Sequence, residues 1–400
     1  MRGYYRTQTW YRDGYPNNGQ DPFEIPDLTP TEIFSYDWTS PDKEANGKQV
    51  FNSSYDNATV RITARQNWEF MRDLPWYSGD FRWTGFDYLG ESEYVQGGWP
   101  FRAFTSGTID LAGFPKDLYY FYQSQWTDAP MVHLLPGWTH PTMKLGTKIP
   151  VWAYSNGDEV QLFLNGQSLG VKRPGRKWNE MQCQWLVPWQ PGVLKAVAYR
   201  RGKEVAHTTE QTAGPPAKLG IATNTADFRN NGRDVAIITV ALTDAAGTMN
   251  PYADNQVTFK VEGPARLLSL ENGNPVDTAP NWGVNTRRAF FGLTRAFLQS
   301  TRDPGDVSVV MGAILGERNQ VTTNLVSIDC QRITLCGPIR PDTWGIFYTL
   351  DGTRPGLDST RYAGSFPVAL GTTVKAARFE KGQRLFDMEE CFTSSEGLYW

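Results

Sequence analysis

The segment from Trp83 to Glu91 carries the residues whose types and spacing best suit chemistry in this chain. It reads Trp-Thr-Gly-Phe-Asp-Tyr-Leu-Gly-Glu and brings an aromatic ring close to two carboxylates, Asp87 and Glu91. The alternating aromatic residues from Tyr77 onward predict a short buried strand that ends at Trp83, and Gly85 then permits a sharp turn. An aromatic platform beside hydrogen-bonding carboxylates, placed where a strand becomes a loop, is suited to binding sugars.

Segments on either side of this stretch carry a family resemblance. Ser53 to Asn57 lies upstream, Asp110 to Asp117 reads Asp-Leu-Ala-Gly-Phe-Pro-Lys-Asp, and Tyr122 to Trp126 reads Tyr-Gln-Ser-Gln-Trp. With residues 83–91, these segments resemble glycoside hydrolase family 2, in particular its bacterial β-galactosidases. The resemblance covers nearly the whole chain. It implies an enzyme that hydrolyses glycosidic bonds in a β-galactoside-containing glycan.

Four residues form the substrate-binding set that we predict: Trp83, Asp87, Glu91 and Trp99. The resemblance makes Trp83 the stacking floor for the sugar, although a tryptophan at a strand end can also seal a barrel core. For Asp87, a loop cap or a salt bridge to a neighbour such as Arg102 explains the residue as well as substrate binding does. Trp99 either walls the pocket or packs within its own loop.

Two predicted helices flank the strand that ends at Trp83. Apolar residues recur at helical spacing between Asn57 and Pro75, and Asp117 is placed to cap a second helix that ends before Pro130. Helix, strand, loop and helix in this order are similar to the last units of a (β/α)₈ barrel. We therefore assign residues 1–128 to the C-terminal part of a TIM-barrel glycosidase domain.

Beyond Met131 the sequence changes to short alternating strands with turn signals. Asn165-Gly166 and Arg201-Gly202 mark two hairpins. We assign residues 129–214 to an immunoglobulin-like β-sandwich. The family resemblance implies that residues 215–327 form an invasin-like immunoglobulin sandwich. It also implies that residues 328–400 form a small β module similar to the C-terminal module of chitobiases and hexosaminidases. The predicted fold is thus a partial (β/α)₈ barrel followed by all-β modules.

Catalytic carboxylates are missing from the pattern. Retaining hydrolysis requires two carboxyl groups about 5–5.5 Å apart in one pocket. In the family that this chain resembles, the acid/base belongs to an Asn-Glu pair, and the nucleophilic Glu shortly precedes an Arg-Gly-Tyr-Tyr segment like Arg2 to Tyr5. Because neither precursor occurs here, we expect both groups upstream of Met1 and assign no catalytic residue within the chain. The 400 residues alone should be inactive.

Other functions remain open at this point. The same architecture serves β-glucuronidases and β-mannosidases, and a non-catalytic carbohydrate-binding or adhesin-like protein would also explain the β modules. The net charge of −3 and the lack of a basic run argue against nucleic acid, and no apolar stretch is long enough to span a membrane. The resemblance suggests a periplasmic or secreted enzyme that can form homo-oligomers.

Metal and disulfide chemistry receive little support. Only three histidines occur, none at zinc-type spacing, and we predict no metal or cofactor. The turn Glu271 to Asn274 carries oxygen atoms of the kind that bind calcium, but a solvated Asn-Gly turn is the commoner explanation. His133 is predicted to be a structural hydrogen-bonding residue. A single disulfide among Cys330, Cys336 and Cys391 stays open.

Overall fold

The computed structural model describes residues 64–91, 102–104, 107–140, 143–225, 228–275, 277–315, 324–334, 345–369, 371–380 and 382–392. These residues form two compact units. The first extends to Thr212 and includes the short segment Pro275–Thr278, and the second begins at Ala213.

The described residues of the first unit form two helices and nine strands. In chain order they are α1 (Ala64–Arg72), β1 (Tyr88–Leu89), β2 (Ala103–Phe104), α2 (Asp117–Trp126), β3 (Val132–Leu135), β4 (Lys148–Ser155), β5 (Glu159–Leu164), β6 (Gln167–Lys172), β7 (Cys183–Pro188), β8 (Val193–Arg200) and β9 (Lys203–Gln211). Two antiparallel sheets, β3-β4-β7 and β6-β5-β8-β9, form a sandwich, while β1 and β2 pair separately.

Local sequence signals decide the hairpins of this sandwich. Along β5, Val160, Leu162 and Leu164 are buried, whereas the residues between them are only partly buried, as the alternation predicts. Asn165 has a φ of 51° and Gly166 of 81°, which is the left-handed geometry of a two-residue turn between β5 and β6. Arg201-Gly202 adopts the same geometry between β8 and β9, so both predicted turns are confirmed.

Both helices pack on the core of this sandwich. Ala64 of α1 and Phe121 of α2 belong to the same buried cluster as Trp152 of β4. The guanidinium carbon of Arg65 lies 4.6 Å from the ring centre of Trp152 and 5.5 Å from that of Trp178, so the cation is held between two indoles. The described helical residues therefore share a core with the β-sandwich that follows them.

Two details of the predicted helical region are wrong. Residues 77–83 form no strand, and Phe81 is 98% exposed, because no described strand lies beside this segment to pair with its backbone or cover its side chains. Asp117 is the first residue of α2 rather than its cap, and its carboxylate instead lies 2.6 Å from Nε2 of buried His133. The predicted start at Asn57 lies outside the described residues, and the described part of α1 is helical as predicted.

The second unit contains strands alone among its described elements. They are β10 (Lys218–Thr223), β11 (Val235–Thr243), β12 (Gln256–Glu262), β13 (Ala265–Glu271), β14 (Thr286–Arg288), β15 (Leu293–Ser300), β16 (Ser308–Leu315), β17 (Asn324–Thr334), β18 (Gly345–Thr349), β19 (Thr360–Arg361), β20 (Phe366–Val368), β21 (Thr372–Glu380) and β22 (Gln383–Phe392). Three sheets result, ordered β10-β11-β15-β13, β14-β12-β16-β17-β20 and β19-β18-β21-β22.

The sheet containing β16 contributes to two hydrophobic cores. Val309 and Met311 of β16 belong to the core shared with the β10-β11-β15-β13 sheet, whereas Val310 and Ile314 belong to the core of the β19-β18-β21-β22 sheet. A Cβ at Gly312 would lie 2.6 Å from Sδ of Met388, so glycine allows the third sheet to approach closely. One sheet therefore has both faces buried.

Strand β17 crosses the boundary that the sequence suggests at residue 327. Its first part pairs with β20 and the remainder with β16. The carboxylate of Glu390 on β22, which is fully buried, accepts a hydrogen bond from the backbone N–H of Gln256 at 2.9 Å and another from the Arg288 guanidinium at 3.2 Å. The four-part division of the chain stays a prediction, but the last two parts are joined by a strand and by the ion pair between Arg288 and the buried Glu390.

Candidate functional site

A row of three side chains forms the candidate site: Trp83 and Glu91, which are exposed, and Tyr88, which is partly buried between them. Nε1 of Trp83 donates a hydrogen bond to the Tyr88 hydroxyl at 3.1 Å, and that hydroxyl donates in turn to Oε2 of Glu91. The two rings meet edge to face with their centres 6.0 Å apart. Trp83 is 67% exposed, so its ring face is accessible to a ligand. We call these three residues the Trp83 platform.

The backbone between the two aromatic residues is tightly held. N–H of Asp87 donates to the Ile109 carbonyl at 2.8 Å, and N–H of Ile109 donates to the Gly85 carbonyl at 3.0 Å. A third bond runs from N–H of Thr108 to the carbonyl of Thr84 at 3.2 Å. Residues 84–87 are thereby fixed beside residues 107–109, and Trp83 and Tyr88 extend from the two ends of this fixed segment.

Asp87 directly precedes Tyr88 but is buried, so it is not part of the platform. It is 5% exposed, and its Oδ1 accepts hydrogen bonds from Nζ of Lys116 at 2.7 Å and from N–H of Gly107 at 2.8 Å. Burial raises the pKa of Asp87 to about 6, an effect that the charge of Lys116 opposes, and burial lowers the pKa of Lys116. The ion-pair interpretation of Asp87 is therefore correct, with Lys116 as its partner in place of Arg102.

Glu91 is exposed and has an unusual backbone conformation. Its φ of 52° lies in the left-handed region, which glutamate adopts rarely. This conformation directs the carboxylate to the Tyr88 hydroxyl, and burial together with the Glu91 hydrogen bond raises the pKa of that phenol. Trp99 lies outside the described residues.

Two residues of this region, Tyr88 and Lys116, were not predicted from the sequence to belong to the site or to support it. Tyr88 connects the platform, and its position one residue after Asp87 was the only available signal. Lys116 gave no local signal, because its partner Asp87 is 29 residues earlier in the chain. Trp83 and Glu91 stay predicted substrate-binding residues, whereas Lys116 could not be recognised from residues near it in the sequence.

Gly107 offers a test of how closely residues 107–109 must approach the backbone of residues 84–87. A Cβ at Gly107 would lie 2.1 Å from the backbone nitrogen of Asp87, a contact that real structures do not show. Gly107→Ala should therefore destabilise the first unit by about 1–3 kcal/mol, as overpacking typically does. Thermal unfolding measures this cost. Gly85→Ala is the matched control, because no heavy atom lies within 4 Å of its Cβ position. Equal melting temperatures for the two variants would contradict the close approach.

The other candidate positions are structural in the described residues. Glu271 is buried, and its carboxylate accepts hydrogen bonds from N–H of Asn272 and of Gly273 and from the amide of Asn281, so the expected solvated turn is in fact a buried network. His133 is a buried hydrogen-bonding residue as predicted. No group of three or more His, Cys, Asp or Glu side chains that could hold a metal ion occurs among the described residues.

Of the cysteines, the structure describes one side chain. Cys183 is a buried free thiol, and burial raises its pKa to about 12. The side chains of Cys330, Cys336 and Cys391 lie outside the described residues, so their pairing stays open. Neither described helix is long and apolar enough to cross a membrane.

Known domain families match three consecutive parts of the chain. Residues 146–206 match a domain family of unknown function, DUF4982, and residues 219–321 match the glycoside hydrolase family 2 C-terminal domain 5. Residues 328–387 match the chitobiase/β-hexosaminidase C-terminal domain.

Relatives that match 63–100% of the chain agree with these family matches. A Formosa agariphila protein provisionally named a β-glucuronidase is 50% identical over 100% of this chain and 38% of its own length. β-Galactosidase BoGH2A of Bacteroides ovatus is 40% identical over 63% of this chain and 29% of its own length. The crystal structure of a β-glycosidase from Bacteroides vulgatus superposes with a TM-score of 0.64 at 39% identity, covering 82% of this chain and 40% of that one.

Fold and site together define a multidomain, predominantly β protein with a short helical region that carries an exposed aromatic platform. The family matches and the relatives place the chain among the C-terminal domains of glycoside hydrolase family 2. The chain spans 38% and 29% of the lengths of the two named relatives.

Proposed function

We propose that this chain forms the C-terminal region of a retaining glycoside hydrolase that removes terminal sugars from β-linked glycans. The Trp83 platform carries the proposal, because it presents an exposed indole face beside a carboxylate on a fixed segment of backbone. A sugar ring can stack its apolar face on Trp83 while a hydroxyl donates a hydrogen bond to Glu91. Relatives named as glycosidases support the same class of reaction.

We place the two catalytic carboxylates outside the 400 residues. Within the described helical region, the buried carboxylates already have partners: Asp87 binds Lys116, Asp110 accepts N–H groups of Ala112 and Phe114, and Asp117 contacts His133. Each of these contacts gives the carboxylate a local structural role. Double displacement through a glycosyl-enzyme would instead use two carboxyl groups upstream of Met1.

The experiment compares two proteins with the substrates p-nitrophenyl β-galactoside and p-nitrophenyl β-glucuronide. We expect the 400-residue chain to give no turnover, and the protein extended by in-frame coding sequence upstream of Met1 to be active. That upstream sequence should encode an Asn-Glu pair and a Glu shortly before Arg2. Turnover by the 400-residue chain, lost when one of its own carboxylates is changed, would disprove the upstream assignment. An extended protein that binds glycans without hydrolysing them would support the adhesin-like alternative.

A β-galactoside is our first choice of substrate, and a β-glucuronide is the second. Glu91 can accept a hydrogen bond from a neutral sugar hydroxyl, whereas its negative charge would repel the carboxylate of a uronic acid. The Formosa agariphila relative, named for glucuronide hydrolysis, supports the second choice. Initial rates with the two substrates decide between them, and Glu91→Gln should improve the use of the glucuronide relative to the galactoside if Glu91 faces the sugar.

A further inference from the structure

We propose that the buried Asp87–Lys116 ion pair is a positioning device for the Trp83 platform. The inference rests on the proposed function of that platform. Neither side chain reaches the surface, since Asp87 is 5% and Lys116 3% exposed, so neither can contact a sugar directly in this conformation. Their role must be exerted through the residues to which they are connected.

Those connections tie the segment that ends at Tyr88 to residues 107–109. Asp87 directly precedes Tyr88, and its Oδ1 also accepts N–H of Gly107, so the carboxylate joins the platform segment to residues 107–109. Lys116 is anchored to the same residues, because its N–H donates to the Thr108 carbonyl at 2.9 Å. The ion pair thus closes a ring of hydrogen bonds that includes Asp87, the residue next to Tyr88.

Burial makes this ring sensitive to either charge. An ammonium and a carboxylate removed from water are each costly unless they neutralise one another, so deleting one partner leaves the other uncompensated. The segment would relieve that cost by moving the remaining charge toward solvent. Tyr88, one residue away, would then lose its alignment between Trp83 and Glu91.

Asp87→Asn tests this role while nearly preserving side-chain shape. The readout is the ionisation of the Tyr88 phenol, followed by NMR of tyrosine labelled at Cζ and assigned with Tyr88→Phe. Burial and the hydrogen bond to Glu91 raise the pKa of Tyr88 in the intact chain. In Asp87→Asn it should fall toward the ordinary tyrosine value. In the extended protein, KM for the preferred glycoside should rise about tenfold with little change in kcat, because stacking on Trp83 serves substrate and transition state alike.

Glu390→Gln is the matched control, since Glu390 is also a buried carboxylate that binds an arginine, but it lies in the second unit. It should leave the Tyr88 titration unchanged. An unchanged Tyr88 titration in folded Asp87→Asn, or an equal shift in Glu390→Gln, would overturn the positioning role. Should Asp87→Asn fail to fold, two variants of Lys116 replace it. Lys116→Arg keeps the charge and should retain more of the raised Tyr88 pKa than Lys116→Met does. Equal Tyr88 titrations in these two variants would overturn the positioning role.

The two proposals can fail separately. If the extended protein neither binds nor cleaves a glycoside, the proposed function fails, but the Tyr88 titration still decides whether the ion pair holds the segment. If Trp83→Ala weakens substrate use while Asp87→Asn leaves both KM and the Tyr88 titration unchanged, the function stands and the positioning role is wrong.

Discussion

Trp83→Ala should reduce kcat/KM for the preferred glycoside about 30-fold in the protein extended upstream, because truncating an aromatic contact at the centre of a binding site costs about 2 kcal/mol or more. The melting temperature should change little. Trp83 is 67% exposed, and its side chain does not belong to the buried core of the first unit. Steady-state kinetics and thermal unfolding of the same preparation separate the two effects.

Trp76→Ala is the matched control for this prediction. Trp76 is 74% exposed and belongs to the same helical region, but its described ring contact is with Tyr77, not with the platform. Its removal should leave kcat/KM within about twofold of the unchanged protein, as expected for a surface aromatic outside the site. Equal losses in the two variants would show that the region responds to any lost indole and would contradict a specific platform at Trp83.

Glu390→Ala should lower the free energy of unfolding of the second unit by about 1–3 kcal/mol, the range seen when a buried hydrogen-bonding group loses its partner. The carboxylate is fully buried, and its loss leaves both the Gln256 N–H and the Arg288 guanidinium without this acceptor. It also leaves a cavity between β12 and β22. Denaturant unfolding monitored by circular dichroism measures the change.

The neighbouring residue provides the control. Glu389 is more than half exposed and approaches Lys375 at 3.6 Å, so its ion pair is of the solvated kind. Glu389→Ala should cost no more than about 1 kcal/mol. Similar denaturant midpoints for the two alanine variants would mean that the contacts of Glu390 do not stabilise the second unit.

Local sequence patterns determine those parts of the fold that depend on neighbouring residues. Asn165-Gly166 specifies its turn because both residues tolerate positive φ, and alternation along β5 specifies which side chains face the core. Helix α2 could also be predicted from its sequence. In each case the deciding interactions lie within a few residues of one another.

Features that depend on distant partners could not be predicted in the same way. Tyr77 to Trp83 has the composition of a strand, but a strand needs a neighbour for its backbone, and no described strand provides one. For Asp87 the sequence left substrate binding, a loop cap and a salt bridge to Arg102 open, and for Glu271 it favoured a solvated turn, because the partners Lys116 and Asn281 lie 29 and 10 residues away in the chain. Only the folded chain shows that both carboxylates are buried. Trp83 and Glu91 are exposed, as a ligand-facing role requires, and that role stays a prediction.

The doubly buried sheet around β16 also limits how genes can recombine. A crossover at residue 327 would cut β17 between its two pairing partners and would transfer the last strands without the apolar face, Val310 and Ile314, on which they pack. Any recipient would need the same face, including a glycine at the position of Gly312. A crossover at Ala213 keeps all three sheets together. We therefore expect recombination to transfer the residues from Ala213 onward together, and not the segment after residue 327 by itself.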